Sequence, residues 1–266
     1  MLYTFGFIGT GNMGSAIAKA VSKSKGGKNI ALANRSKQKA QNVADQIGAT
    51  VVDNRAIAKQ CDYIFLGVKP QMMEQVIGDI RDILQSRKNE IVLVSMAAGI
   101  SCDKICNMAG GDVAVVRIMP NTPVAIGKGI ILYCSNAFAK DKERFVVDSL
   151  SEGGLVDKID EKLIDAGSAV AGCGPAFAAM FAESLADGAV SCGLPREKAQ
   201  MYAAKMMEGT ACLITESGKH PAKLKDEVCS PGGSTIKGVE TLENNNFRGA
   251  VMSAISASYS KTKELG

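Results

Sequence analysis

Up to about residue 160, short apolar runs rich in β-branched residues alternate with segments whose apolar positions recur every three or four residues. Such alternation predicts βα units around a mostly parallel sheet. The runs at 5–9, 29–34, 49–52, 63–68, 90–96, 112–119 and 129–134 read as strands, and 12–22, 37–47, 71–84, 102–108 and 140–150 as helices. Beyond Asp160 the β-branched runs stop. Phe177, Phe181 and Leu185 share one helical face, and Gly193 is a plausible stop. Pro195 opens a longer helix running to Gly218, with Met201, Ala204, Met207, Ala211 and Ile214 at helical steps, and a last helix spans roughly 247–264. The pattern therefore predicts an α/β domain over 1–160 followed by an all-α domain over 161–266.

Composition narrows the function classes. The net charge of +4 arises from 31 basic and 27 acidic residues spread along the chain, without a basic run, so no nucleic-acid surface is expected. The longest uncharged stretch, 166–182, holds 17 residues and is interrupted by Gly172, Gly174 and Pro175, so no membrane segment is expected. The N-terminal residues lack the pattern of a signal peptide, and the cytoplasm is the expected location. Eight cysteines without a C-x-x-C pair read as thiols in a reducing compartment. Cys102 and Cys106 stand at helical spacing, but the one histidine, His220, is remote in sequence; packing is favoured over zinc, and no metal site is expected.

The chemistry starts at Gly9, Gly11 and Gly14. They form a G-x-G-x-x-G turn directly after the first predicted strand and at the opening of a helix, the arrangement of a Rossmann-type dinucleotide site. In such a turn the helix N-terminus offers unpaired N–H groups to a pyrophosphate. Twenty residues after Gly14, where an NAD site carries a carboxylate for the ribose 2′-hydroxyl, stand Asn34, Arg35 and Ser36. Their donors suit a 2′-phosphate, so NADPH is favoured, with NADH as the alternative. Ser36 could equally cap the following helix, and Asn54 the one after it.

Further along, "LGVKPQ" (66–71), "SMAAGIS" (95–101) and "IMPNTPVAIGKG" (118–129) fall where predicted strands end, and "HPAKLKDEVCSPGGSTIKGVETLE" (220–243) places a Ser-Pro-Gly-Gly loop between two helices. With the glycine turn, these stretches resemble the pyrroline-5-carboxylate reductases along essentially the whole chain. The resemblance implies that Thr10, Gly11, Asn12, Met13 and Gly14 line the pyrophosphate, with Asn34, Arg35, Ser36 and Asn54 at the adenosine end. It implies Val68, Lys69, Pro70, Ala97 and Ala98 beside the nicotinamide. Substrate would fall to Ser230, Gly232, Gly233, Ser234 and Thr235, with Asn121 and Glu161 as further candidates, and Thr235 in the catalytic role. Cys229 departs mildly from the small hydroxylic residue or alanine expected there.

The implied reaction is hydride transfer from NADPH to the C=N carbon of 1-pyrroline-5-carboxylate, giving L-proline, in a homodimer or larger homo-oligomer joined through the helical half. No general acid stands out, so a substrate already protonated at nitrogen, with Thr235 as its hydrogen-bond partner, is expected. Two rivals remain. A β-hydroxyacid dehydrogenase would share the first turn, but its catalytic lysine is replaced here by Ala178. A non-catalytic NADP-binding regulator would have no use for the polar loop 230–235.

Overall fold

The computed structural model describes residues 3–88 and 90–265. The chain divides into two compact units, residues 1–173 with 258–266, and residues 174–257.

The first unit is built on an eight-stranded sheet of order β3-β2-β1-β4-β5-β6-β7-β8. Its strands are β1 (Phe5–Ile8), β2 (Ile30–Ala33), β3 (Thr50–Val51), β4 (Tyr63–Leu66), β5 (Val92–Ser95), β6 (Ala114–Pro120), β7 (Gly129–Ser135) and β8 (Gly154–Lys158). Strands β1 to β6 pair in parallel, β7 runs antiparallel to β6, and β8 pairs in parallel with β7. The helices of this unit are α1 (Asn12–Lys25), α2 (Lys37–Ile47), α3 (Asn54–Gln60), α4 (Met73–Gly78), α5 (Arg81–Ser86), α6 (Cys102–Ala109), α7 (Glu143–Leu150) and α8 (Ile164–Ala171).

The strand side chains divide into two separate cores. Phe5, Phe7, Leu32, Phe65, Val92 and Val94 pack with Ile17 and Val21 of α1, whereas Ile8, Ile64, Leu66 and Leu93 pack with Ile57, Met73, Ile77 and Ile105. Both faces are covered, as a parallel sheet requires, and this is why its strands read as continuous apolar runs. All seven predicted strands form. The edge strand β8 escaped prediction because Asp157 and Lys158 break its apolar pattern. The single helix predicted over 71–84 is instead a 3-10 turn (Pro70–Met72) followed by α4 and α5. Gly78 weakens the helix where it breaks, and Arg55 draws the Asp79 carbonyl aside with a 2.7 Å hydrogen bond.

The second unit holds α9 (Gly174–Ser191), α10 (Arg196–Ser217), α11 (Pro221–Val228), α12 (Ser234–Asn244) and most of α13 (Phe247–Glu264), whose last turns from Ser258 belong to the first unit. Gly193 (φ +96°) and Gly218 (φ +62°) follow α9 and α10 in the left-handed conformation that ends helices. Among the described residues one stretch, Glu161–Ser191, is long and apolar enough to cross a membrane by length and composition, with a mean hydropathy of 1.3 in its most apolar 18-residue window. The stretch is broken by a turn at Gly172 and Cys173, between α8 and α9.

Candidate active site

The glycine turn lies between the ends of β1 and β4, where the strand order reverses direction. In an open α/β sheet, ligands bind at this point. Its three glycines are required for different reasons. Gly9 has φ +98°, and a Cβ there would lie 2.7 Å from the backbone of Gly67. At Gly14 a Cβ would lie 2.1 Å from the Gly9 carbonyl oxygen. Gly11, by contrast, has an ordinary extended backbone (φ −70°, ψ −171°), and a Cβ there would meet nothing within 4 Å. The fold needs the first two glycines, while the open space at Gly11, at the N-terminus of α1, suits a ligand. The Thr10 hydroxyl beside it is buried without a partner among the described residues. Gly11 and Thr10 thus fit a dinucleotide pyrophosphate.

At the end of β2, the Asn34 side chain accepts the Thr10 N–H (3.2 Å) and donates to the Ser36 carbonyl (3.2 Å), tying the adenosine edge to the glycine turn. Ser36 occupies the N-cap position of α2, but its side chain caps nothing. Asp53, not Asn54, caps α3 by accepting the Ala56 N–H at 2.7 Å. Arg35, Lys37, Gln38 and Asn54 line a cleft of about 960 Å³ with Asn34 and Arg55. Arg55 is held by both oxygens of Asp82, at 3.1 and 2.6 Å, so Arg35 and Lys37 are the cations of that cleft without an ion-pair partner among the described residues. Val68 and the exposed Lys69 follow β4, with Pro70 opening the 3-10 turn. Ala97 is buried with its methyl in the core, which leaves its backbone for any contact, while Ala98 is half-buried.

In the second unit, Ser230 to Gly233 form a tight turn closed by the Gly233 N–H on the Ser230 carbonyl (3.0 Å). Pro231 then Gly232 at φ +68° is the residue order of a type II turn. A Cβ on Gly233 would lie 2.4 Å from the Ser230 hydroxyl, so the loop fixes its glycines by sterics. The turn delivers the chain into α12 with Gly233 as N-cap and no side-chain capping bond. Thr235 is therefore not the cap. It lies in the first turn, exposed, beside backbone N–H groups that a helix leaves unpaired. His220 caps α11, its Nδ1 accepting the Ala222 N–H at 3.2 Å.

Asn121 and Glu161 occupy neither of these places. The Asn121 carboxamide accepts the Ile130 N–H (2.9 Å) and donates to the Ala171 carbonyl (3.0 Å). Glu161 accepts the Cys102 N–H (2.8 Å) and stands 3.6 Å from Arg117, which is 3% exposed and pairs with Asp165 at 2.6 Å. Sequence reasoning passed over Arg117 and Asp165, 48 residues apart; an arginine inside an apolar strand was the one available signal. The cysteines partner differently from their spacing. Cys106 bonds the Val113 carbonyl and Asn136, and the neighbour of Cys102 is Cys134. Their mutual hydrogen bond, followed by burial, pushes the Cys102 thiol far above its ordinary range. Burial similarly raises Cys61 to about 12.

Residues 161–265 match the family model of pyrroline-5-carboxylate reductase dimerisation, and residues 4–99 match that of NADP oxidoreductases described as coenzyme F420-dependent. A pyrroline-5-carboxylate reductase from Glycine max is 35% identical over 267 residues, covering 99% of this chain and 96% of its own. One from Escherichia coli is 36% identical, covering 98% and 97%. The chain belongs to the pyrroline-5-carboxylate reductase family. A crystal structure of the Plasmodium falciparum pyrroline carboxylate reductase with NADP bound matches with a TM-score of 0.90 and 32% identity, covering 99% of this chain and 98% of that one. The Coxiella burnetii reductase of this family matches with a TM-score of 0.89 and 30% identity, over 100% and 99%.

Proposed function

We propose that this pyrroline-5-carboxylate reductase family member reduces the C=N bond of 1-pyrroline-5-carboxylate to L-proline, the last step of proline biosynthesis, with NADPH preferred over NADH. Residues 1–160 hold the cofactor, and residues 161–266 hold the substrate and join copies of the chain into a homo-oligomer. When bound, NADPH supplies the hydride. Gly9 to Gly14 receive its pyrophosphate, Asn34 to Ser36 with Asn54 its adenosine end, and Val68 to Pro70 with the backbone of Ala97 and Ala98 its nicotinamide half. The absence of a carboxylate at 34–36, together with the paired state of Arg55, supports Arg35 as the partner of a 2′-phosphate.

The observation that carries the substrate assignment is the exposed hydroxyl of Thr235, which has no partner among the described residues and stands in the first turn of α12. The unpaired N–H groups of that turn, with Ser230 and Ser234, suit the substrate carboxylate. The Thr235 oxygen accepts the N–H of a ring already protonated at nitrogen, which makes the neighbouring carbon electrophilic. With His220 engaged as a cap, no ionisable group of the loop needs to deliver that proton. Asn121 and Glu161 we assign to holding backbone, since their polar atoms are engaged with Ile130, Ala171 and Cys102. All eight cysteines are free, which supports a reducing compartment such as the cytoplasm.

The test follows NADPH absorbance with 1-pyrroline-5-carboxylate and, separately, with a β-hydroxyacid and NADP. Oxidation of NADPH by the first and no reaction with the second is the expected outcome. Tight NADPH binding without turnover would favour a regulator, and turnover of the hydroxyacid would favour the dehydrogenase reading.

A further inference from the structure

Inside the first unit, two thiols and a carboxylate converge. Cys102 opens α6 and Cys134 lies on β7; they are 2% and 5% exposed. Glu161 begins the 3-10 turn Glu161–Leu163. The two sulfurs and a carboxylate oxygen of Glu161 lie within 4.8 Å of one another. We propose that Cys102, Cys134 and Glu161 form a binding site for a thiophilic divalent cation of the zinc class.

Two sulfurs and one oxygen form a donor set that suits zinc and its soft neighbours, and disfavours magnesium or calcium, which take oxygen alone. Three protein ligands leave a fourth position for water, and the side chain of Glu161, 35% exposed, gives the cluster its path to solvent. The carboxylate is already oriented by the Cys102 N–H at 2.8 Å and by Arg117 at 3.6 Å, the kind of outer support that metal ligands require.

Arg117 lies directly across the strand pair from Cys134, yet its positive charge does not bar a cation. Arg117 faces the carboxylates of Glu161 and Asp165, at 3.6 and 2.6 Å, so its charge is already met twice over. A divalent ion enters as two thiol protons leave, and the net charge is the same afterwards. The exchange therefore adds no net charge to a buried site, where an uncompensated one would be costly.

The test uses the full chain, reduced and stripped with a chelator, then titrated with Co²⁺. One equivalent is expected to give near-ultraviolet thiolate-to-cobalt charge-transfer absorption that Zn²⁺ then abolishes. Cys102→Ser and Cys134→Ser are each expected to weaken Co²⁺ binding at least about tenfold. Cys212→Ser, which alters an exposed thiol of α10, should leave the signal intact. No charge-transfer absorption in the unmodified chain, or a signal that survives both Cys102→Ser and Cys134→Ser, overturns the site. Should those variants fail to fold, X-ray absorption of the Zn²⁺-loaded chain decides. Two sulfur neighbours at about 2.3 Å with oxygen completing the shell is the expected result. A shell of oxygen alone, or of sulfur alone, overturns it.

Discussion

In the first unit most large apolar residues are inside, with Phe5, Phe7, Ile17, Leu32 and Phe65 all fully buried and exposed ones such as Ile126 and Val170 the minority, whereas in the second unit they face outward. Met180 of α9 is 64% exposed and Met252 of α13 70%, with Tyr202, Leu213, Ile236 and Val251 exposed as well. Among the described residues, the only buried apolar residues of the second unit are Ala186, Ala199, Ala203 and Leu224. One unit closes its core with its own chain; the other presents an apolar surface of the kind that marks an association site. The comparison teaches that helical periodicity alone does not locate a core. The stripes of α9 and α10 meet the same spacing rule as that of α1, but what covers them differs. The dimerisation model matched by residues 161–265 covers this whole unit, and a second copy of the chain is the partner we infer for it.

Four substitutions sharpen or break this contrast. The largest effect is expected at Gly11, in the closed unit. Gly11→Val should reduce NADPH binding below detection in a fluorescence titration while the melting temperature holds, because the added carbons enter space that the fold leaves open. Unchanged affinity would make the turn purely architectural.

Next is Met252→Glu in the open unit. A charge placed in a dry interface should turn the oligomer into monomers by light scattering. It forfeits roughly 1.5–3 kcal/mol of apolar burial per copy before the cost of the charge is counted. A variant that scatters like the original would show that this part of α13 remains solvent-facing in the assembly.

Thr235→Ala follows, with an expected loss of about 1.5–3 kcal/mol in transition-state stabilisation, ten- to a hundredfold in kcat/KM. Thr235→Ser should recover most of it. Because Gly233 holds the cap position, the melting temperature should not move. Full activity in the Ala variant would transfer recognition to the backbone of Ser234 and its neighbours. The smallest effect is expected from Arg35→Ala. Its side chain is exposed, so its bond to a 2′-phosphate is placed at the low end for charged groups, about 1.4 kcal/mol or tenfold in the KM for NADPH. The KM for NADH should not change; an equal rise for both cofactors would remove Arg35 from phosphate recognition.

What the sequence disclosed follows the reach of its signals. The strands β1, β2, β4 and β5 were legible because burial on both faces makes each an apolar run, β3, β6 and β7 because they are rich in β-branched and apolar residues, and α2 and α13 because their bounds coincide with clear changes of pattern. The seven-residue α3 was legible only through a capping residue at its start, since its one buried turn, Ile57 and Ala58, is too short to show a period. The glycine turn and the Ser-Pro-Gly-Gly loop could be read because each is a local steric solution written in consecutive residues. Arg117 with Asp165, and Cys102 with Cys134, are products of topology. They meet only because β7 turns back against β6 and α8 follows β8, and no local spacing encodes that. Local signal is equally silent at Asn121 and Glu161, since polar residues in loops at strand ends read the same whether they hold a ligand or the neighbouring backbone.

The helix α13 is shared between the units, from Phe247 to Ala257 in one and from Ser258 onward in the other. The chain thus passes between them twice, once at Cys173–Gly174 and once inside a continuous helix. For a protease, this makes the helical unit an insertion and not an appendage. A single nick at the Gly172–Gly174 turn yields a C-terminal fragment whose last residues, with Thr262 buried among them, still belong to the first unit. The two fragments should therefore elute together under native conditions and separate only when the protein is denatured.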